Sequence, residues 1–267
     1  MIRDRQSVAS CARRPAPDTR RPPNDQAAGL RRLFAPRGPR FVPILVPAGE
    51  NNWHATWIAR LAEAFVRAGD RTLLADAARL QIAASLGLRA RFDLAHVLAG
   101  ECTIDQLLLD AAPQLTVFPA SRALEHSADH AGLTRAVAAV AYAREIDLVL
   151  LALRAEHTPL IAGEMSPPEY WLPMGREADA QRAALHALRV ARDTGDIETF
   201  RLLFPGMDAA AAATLFSRLA ASGARQRVRL RFGGVARTAR DLVSVVRAAA
   251  GWDINRLADK ADTEKTV

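Results

Sequence analysis

The stretch Phe41-Val42-Pro43-Ile44-Leu45-Val46-Pro47, followed by Ala48-Gly49-Glu50-Asn51-Asn52-Trp53-His54 and then by the segment Ala55–Ala68, decides the fold class. An apolar run of that length fits a strand buried on both faces and is too short for a core helix. The segment after it places Ile58, Leu61, Ala62 and Phe65 on one helical face and stops at Gly69, a residue suited to closing a helix. A buried strand feeding a helix is the first half of a βαβ unit, and the same alternation recurs down the chain.

Working outward, the pattern predicts strands at Phe41–Pro47, Arg71–Asp76, Leu115–Pro119, Asp147–Leu153, Tyr170–Met174, Phe200–Phe204 and Val228–Phe232. Between and after them it predicts helices at Ala55–Ala68, Leu94–Leu98, Ile104–Leu109, Thr134–Arg144, Ala178–Thr194, Ala209–Ser222 and Thr238–Ala250. The expected fold class is α/β, a doubly wound and mainly parallel sheet with helices on both faces. Ligands of such sheets bind beyond the carboxyl ends of the strands, which directs attention to residues 47–56, 76–80 and 153–158.

The 267 residues are 50% hydrophobic and 24% charged, a balance that excludes wholesale disorder and allows one large α/β domain. No run reaches the roughly 18 to 20 apolar residues of a membrane span, and residues 1–40 carry no apolar signal core, so a cytosolic location is expected. Cys11 and Cys102 are the only cysteines, which leaves neither a disulfide framework nor a cysteine-built zinc site. The formal charge of +7 is concentrated in residues 1–40, with ten Arg and three Asp, whereas the remainder holds 26 basic and 26 acidic residues. Six prolines share that arm. Residues 1–23 are therefore expected as a disordered, Arg/Pro-rich arm, either a solvated tail or a contact for nucleic-acid phosphates or anionic lipid. Residues 24–36 differ: Asn24 suits a helix cap, and Ala27, Leu30, Arg31 and Phe34 fall on one face of a helix too short to stand without a partner surface. The domain proper is expected over 40–250 and a polar tail over 251–267.

The loop after the first strand is where a nucleotide-binding α/β protein carries its phosphate cradle. Such a cradle uses glycines so that successive backbone N–H groups face the phosphates, a lysine for the β/γ oxygens and a hydroxyl for Mg²⁺. Here Gly49 is the only glycine, Glu50 opposes the phosphate charge, Trp53 is bulky, and Thr56 is the one residue of suitable chemistry.

Asp25-Gln26-Ala27 with Leu30-Arg31 before the first strand, Asp76 ending the second, and the run Asp93-Leu94 through Leu98-Ala99-Gly100-Glu101 to Asp105 leading to Leu115–Ala120 together resemble a known family. It is the MinD/ParA-type ATPases with a deviant Walker A loop, and within them the flagellar-number regulators called FlhG, FleN or YlxH. The resemblance runs from about Asn24 to Leu153 and more loosely to Ala250. It implies a P-loop NTPase-like fold of the MinD type. It also implies correspondences at the nucleotide site: Glu50 and Ala55 stand where the family has its two lysines, Asn51, Asn52 and His54 where it has loop glycines, and Thr56 and Trp57 at the two hydroxyl positions. Asp76 matches the aspartate that positions water or magnesium, and is read as the remnant of a catalytic set ahead of the alternative that it only caps the next turn, while Ala152 replaces the Walker B-type aspartate. The resemblance thus implies a degenerate pseudo-ATPase with no cofactor expected, ATP and Mg²⁺ entering only if the altered loop still binds them. The implied partners are an FlhF-type signal-recognition GTPase and flagellar proteins, with a flagellar transcription activator as a further candidate. Asp25, Gln26, Ala27, Leu30 and Arg31 would form the activator element, Gln26 orienting an attacking water in trans. Dimerisation is left open, as is peripheral attachment at the inner membrane or cell pole through Thr238–Ala250, whose Leu242, Val245, Val246 and Ala249 could equally cover the sheet. Two rival readings are a divergent ATPase working through Thr56 and Asp76, and a partition or polysaccharide-secretion accessory binding nucleic acid or membrane through the arm.

Elsewhere, His126 and His130 have the i, i+4 spacing of a zinc pair but lack a general base, and no metal site is expected. His54 and His96 show no carboxylate or nucleophile partner in the sequence. Trp53 and Trp57 either fill the altered nucleotide site or offer an exposed binding patch.

Overall fold

The computed structural model describes residues 39–47, 53–126, 130–158, 169–225, 228–236 and 241. The basic arm, the activator segment 24–36, Gly49, Glu50, Asn51 and Asn52 of the loop, the C-terminal helix apart from residue 241, and the tail lie outside these residues.

All seven predicted strands form. They are β1 (Arg40–Leu45), β2 (Thr72–Asp76), β4 (Leu115–Pro119), β5 (Leu148–Leu153), β6 (Tyr170–Pro173), β7 (Thr199–Pro205) and β8 (Arg229–Ala236), joined by an eighth, β3 (Leu109–Ala112). The sheet order is β3-β4-β2-β5-β1-β6-β7-β8. Every pairing is parallel except β3 with β4. The chain therefore winds outward from β1 in one direction, returns through β5, and then winds outward in the other, which is the doubly wound arrangement.

Period-2 side-chain alternation divides the strands between two cores. Leu148, Leu150 and Ala152 of β5 pack with Val42 and Ile44 of β1 under helix α1 (Trp53–Arg67), whose Ala55, Ile58, Leu61, Ala62 and Phe65 are buried. Val149, Leu151 and Leu153 of the same strand face the opposite way, into a second core that also holds Val137 and Ala141 of α6 (His130–Ala143), Leu188 of α7 (Ala178–Gly195) and Leu215 of α8 (Ala209–Arg225). Helices thus cover both faces of the sheet.

One sequence expectation is corrected. The segment Ile104–Leu109 does not run as one helix: α4 (Ile104–Leu107) stops two residues short, Leu108 is extended, and Leu109 opens β3. The turn at Pro113-Gln114 folds Leu109 back opposite Val117 and Asp110 opposite Thr116, so cross-strand pairing overrides the local helical pattern. Three further short α-helices, α2 (Ile82–Ser85), α3 (Leu94–Leu98) and α5 (Ala123–His126), and a 3-10 turn at Ala155–His157 complete the described elements. Of these, α3 was expected with the bounds it has; α2 and α5 are single turns with no amphipathic period to read.

Candidate functional site

Because seven strands run the same way, their carboxyl ends gather on one side of the sheet, and the loops leaving Leu45, Asp76, Pro119, Leu153, Pro173 and Pro205 form its crest. At the centre of the crest α1 starts at Trp53. Ala55 in its first turn is fully buried against the β1/β5 core, while Thr56 beside it is exposed. Trp53 stacks on His54 with ring centroids 3.9 Å apart and meets Trp57 edge-on at 6.5 Å. Trp57 is half-buried against the core under α1. Trp53 instead lines a cleft of about 240 Å³ toward the ends of β6 and β7, with Met174, Arg176, Glu177 and Pro205. The two tryptophans therefore divide their work: one packs inward, the other walls a small cleft.

Asp76 closes β2 next to Ala152 on β5. Ala152 is also the register partner of Ile44 on β1 and is fully buried, so this part of the crest carries no second carboxylate. Asp76 is itself only 4% exposed, and its carboxylate accepts backbone N–H bonds from Ala78 at 3.2 Å, Leu80 at 3.2 Å and Ile82 at 3.0 Å. This cap holds a tight loop in which Arg79 and Gln81 adopt left-handed backbone conformations, with φ of 62° and 56°. Burial raises the pKa of Asp76 above its ordinary value, and the amides of Ile82, Leu80, Ala78 and Gln81 pull the other way without overcoming it. The local consequence is a carboxylate that organises its own loop.

The loop following β2 runs into a second acid. Asp93 caps α3: its carboxylate accepts from the Ala95 amide at 3.2 Å, while its own N–H donates to His96 Nδ1 at 3.0 Å, closing a reciprocal capping box. The same carboxylate accepts from the Arg122 amide at 3.2 Å and from Ser121 Oγ at 3.4 Å across from the end of β4. Ser121, Asp93 and His96 are thus neighbours, yet the carboxylate is on the serine and the imidazole is on a backbone amide, so no nucleophile–base–orienter chain is formed. Between these two loops opens a cavity of about 600 Å³. Asp76, Asp93 and His96 line it together with Arg79, Arg89, Arg91 and Arg122, arginines that carried no motif in the sequence.

His126 ends α5 and His130 opens α6. Among the described residues no group of three or more His, Cys, Asp or Glu is placed to hold a metal ion. No described helix is long and apolar enough to cross a membrane.

No family model and no curated protein matches this chain. Solved structures do. The MinC:MinD cell division protein complex of Aquifex aeolicus aligns with a TM-score of 0.53 at 16% identity, over 78% of this chain and 86% of that one. A plasmid partition protein from Borrelia burgdorferi aligns with a TM-score of 0.57 at 14% identity, over 80% and 98% of the two chains. Cobyrinic acid a,c-diamide synthase from Mycobacterium smegmatis, holding ADP and magnesium, aligns with a TM-score of 0.56 at 19% identity, over 81% and 96%. What this chain shares with them is the fold, here a mostly parallel eight-stranded sheet with helices on both faces.

Proposed function

We propose that this protein is a MinD-like regulator of flagellar number and placement, of the FlhG/FleN type, which acts through protein contacts and has lost ATP turnover. The observation that carries the second half is the crest of β2 and β5. Asp76 is bound by its own loop's amides, Ala152 brings a methyl where a carboxylate would hold magnesium or its water, and Ala55 is buried in the first turn of α1. A phosphate-binding lysine needs a long side chain at the loop–helix junction, and a magnesium site needs oxygen donors free to turn to the ion. Those present do not fit ATP with magnesium. Packing alone maintains the fold without them.

The first half rests on Asp25-Gln26-Ala27 and Leu30-Arg31, the activator-type signature ahead of β1. Its partner would be an FlhF-type GTPase, and the appearance of a MinC:MinD complex among the structural neighbours agrees with a fold that works by recruiting partners. The test is GTP hydrolysis by the FlhF-type GTPase alone, with this protein, and with its Gln26→Ala variant. Stimulation that the variant lacks supports the reading, and a competent GTPase left unstimulated by the wild-type chain removes it.

A second reading keeps nucleotide binding. Thr56 is exposed on the first turn of α1, and the mycobacterial neighbour holds ADP with magnesium. Saturable Mg-ATP binding that disappears in Thr56→Ala would favour it over the first.

A further inference from the structure

The cavity between the loops after β2 and β4 is built differently from the crest above β1. Its volume of about 600 Å³ lies within the range of small-molecule sites, roughly 300 to 1,000 Å³. Four guanidinium groups and two carboxylates line it. Both carboxylates are engaged in the wall: Asp76 with the amides of Ala78, Leu80 and Ile82, and Asp93 with two amides and the Ser121 hydroxyl. Arg89 and Arg91 are exposed, and among the described residues neither forms an ion pair. Arg91 lies over the Phe92 ring with its guanidinium carbon 5.1 Å from the centroid, which limits where its planar fork can point. His96 Nδ1 accepts the Asp93 amide at 3.0 Å and lies 3.3 Å from the Asp93 carbonyl oxygen, so the cap occupies that ring nitrogen.

We propose that this cavity binds a small phosphorylated molecule, its phosphate held by Arg89 and Arg91 with support from Arg79 and Arg122. A concavity with an excess of one charge sign and protein walls concentrates the opposite charge. A phosphate ester, with about 1.5 to 2 negative charges at neutral pH, matches the two exposed guanidinium charges of Arg89 and Arg91. Its oxygens also accept the paired N–H groups of an arginine fork, which a single carboxylate satisfies only once. The cavity's size and concavity suit a small molecule rather than a nucleic-acid strand. The cavity shares Asp76 with the crest, but its lining includes none of the described residues at the start of α1, and the proposal does not depend on the regulator reading.

The experiment is calorimetric titration of the full chain with inorganic pyrophosphate at about 0.15 M salt, which screens exposed charges beyond about 8 Å. It compares the wild type, Arg89→Ala/Arg91→Ala and, as a control for the basic arm, Arg13→Ala/Arg14→Ala. The cavity variant changes only exposed side chains, and an unchanged melting temperature verifies its fold. Saturable binding to the wild type, weakened about tenfold or more in the cavity variant and retained in the arm variant, is the expected result. Absence of saturable binding to the wild type overturns the proposal, as does a loss in the arm variant equal to or larger than that in the cavity variant.

Discussion

Asp76 and Ala152 are register partners at the carboxyl ends of neighbouring parallel strands, and the pair consists of one amide-capped carboxylate beside one buried methyl. The relationship sets the character of the whole crest. On the β2 side the polar group is fully employed in shaping the loop that leads to the basic cavity; on the β5 side the surface toward α1 is apolar as far as Ile44.

The cap makes Asp76 a stability determinant. Replacing it with Asn leaves one oxygen to serve amides now shared between two, so at least one buried N–H loses its partner, at a cost of about 1 to 3 kcal/mol. The pH dependence has a definite sign. Because the folded-state pKa of Asp76 is raised above 3.8, its titration contributes stability that is fully present below 3.8 and is lost as pH rises through the folded pKa. Urea unfolding of wild type and Asp76→Asn from pH 3 to 6 should therefore show the wild-type advantage shrinking as pH increases. A gap that widens instead would mean that the amide bonds, not burial, dominate the carboxyl group.

A second polar group is buried at the far end of the sheet. Glu169 and Arg201 form an ion pair with both side chains 7% exposed, and the indole of Trp171 and the guanidinium of Arg231 also reach Glu169, at 3.4 and 3.5 Å. Glu169→Gln would leave the buried Arg201 guanidinium without the opposing charge of its carboxylate, at about 3 to 5 kcal/mol. The double variant Glu169→Gln/Arg201→Met also removes the guanidinium charge and should recover most of that loss. Chemical denaturation of the three proteins checks this, and equal instability of the single and double variants would show that the pair is needed as such.

How far the sequence reaches can be judged from such residues. The strands were legible because Ile44, Leu74, Val117, Leu150 and Leu202 stand in short continuous apolar runs, the pattern of strands covered on both faces. Strand β3 was not, because Leu109-Asp110-Ala111-Ala112 has no β-branched residue and is a strand only by virtue of its partner β4. At the site, Asp76 was legible from its place at a strand end. The basic cavity was not: Arg79, Arg89 and Arg91 lie in the segment after β2 and Arg122 in that after β4, and they share a wall only after β2 and β4 pair. Likewise nothing in the spacing of Glu169 and Arg201, 32 residues apart, announces a buried pair.

Strand β8 tests backbone fit. A Cβ on Gly233 would stand 2.6 Å from the Leu202 carbonyl oxygen and 2.9 Å from Arg201 Cγ, where the β7–β8 register shifts. The carbonyl belongs to a central strand and cannot swing aside, so Gly233→Ala should cost about 1 to 3 kcal/mol through displaced backbone. Thermal melting compared with Ala221→Gly, an exposed position on α8 where only about 1 kcal/mol of helix propensity is at stake, separates close approach from general sensitivity to small-residue changes. A Gly233→Ala protein as stable as the wild type would mean that the bulge opens freely.

The regulator reading makes its sharpest prediction at Ala152. Were this an ATPase one residue short of activity, Ala152→Asp would restore the missing carboxylate and with it some Mg-ATP hydrolysis. The surroundings argue otherwise: the position is fully buried, between Ile44 and the carboxyl group of Asp76, on the face packed by α1. Burial beside a second carboxyl group opposes ionisation, and a carboxyl raised by about 3 units costs roughly 4 kcal/mol at neutral pH. The new acid's folded pKa lies above its unfolded value, so the penalty is absent below about pH 4 and grows as pH rises toward the folded pKa. Ala152→Asp should thus melt well below the wild type at pH 7, approach it near pH 4, and release no phosphate from Mg-ATP at either. A variant that is stable at pH 7 and hydrolyses ATP would show that the crest still accepts magnesium, and the loss of turnover would have to be abandoned.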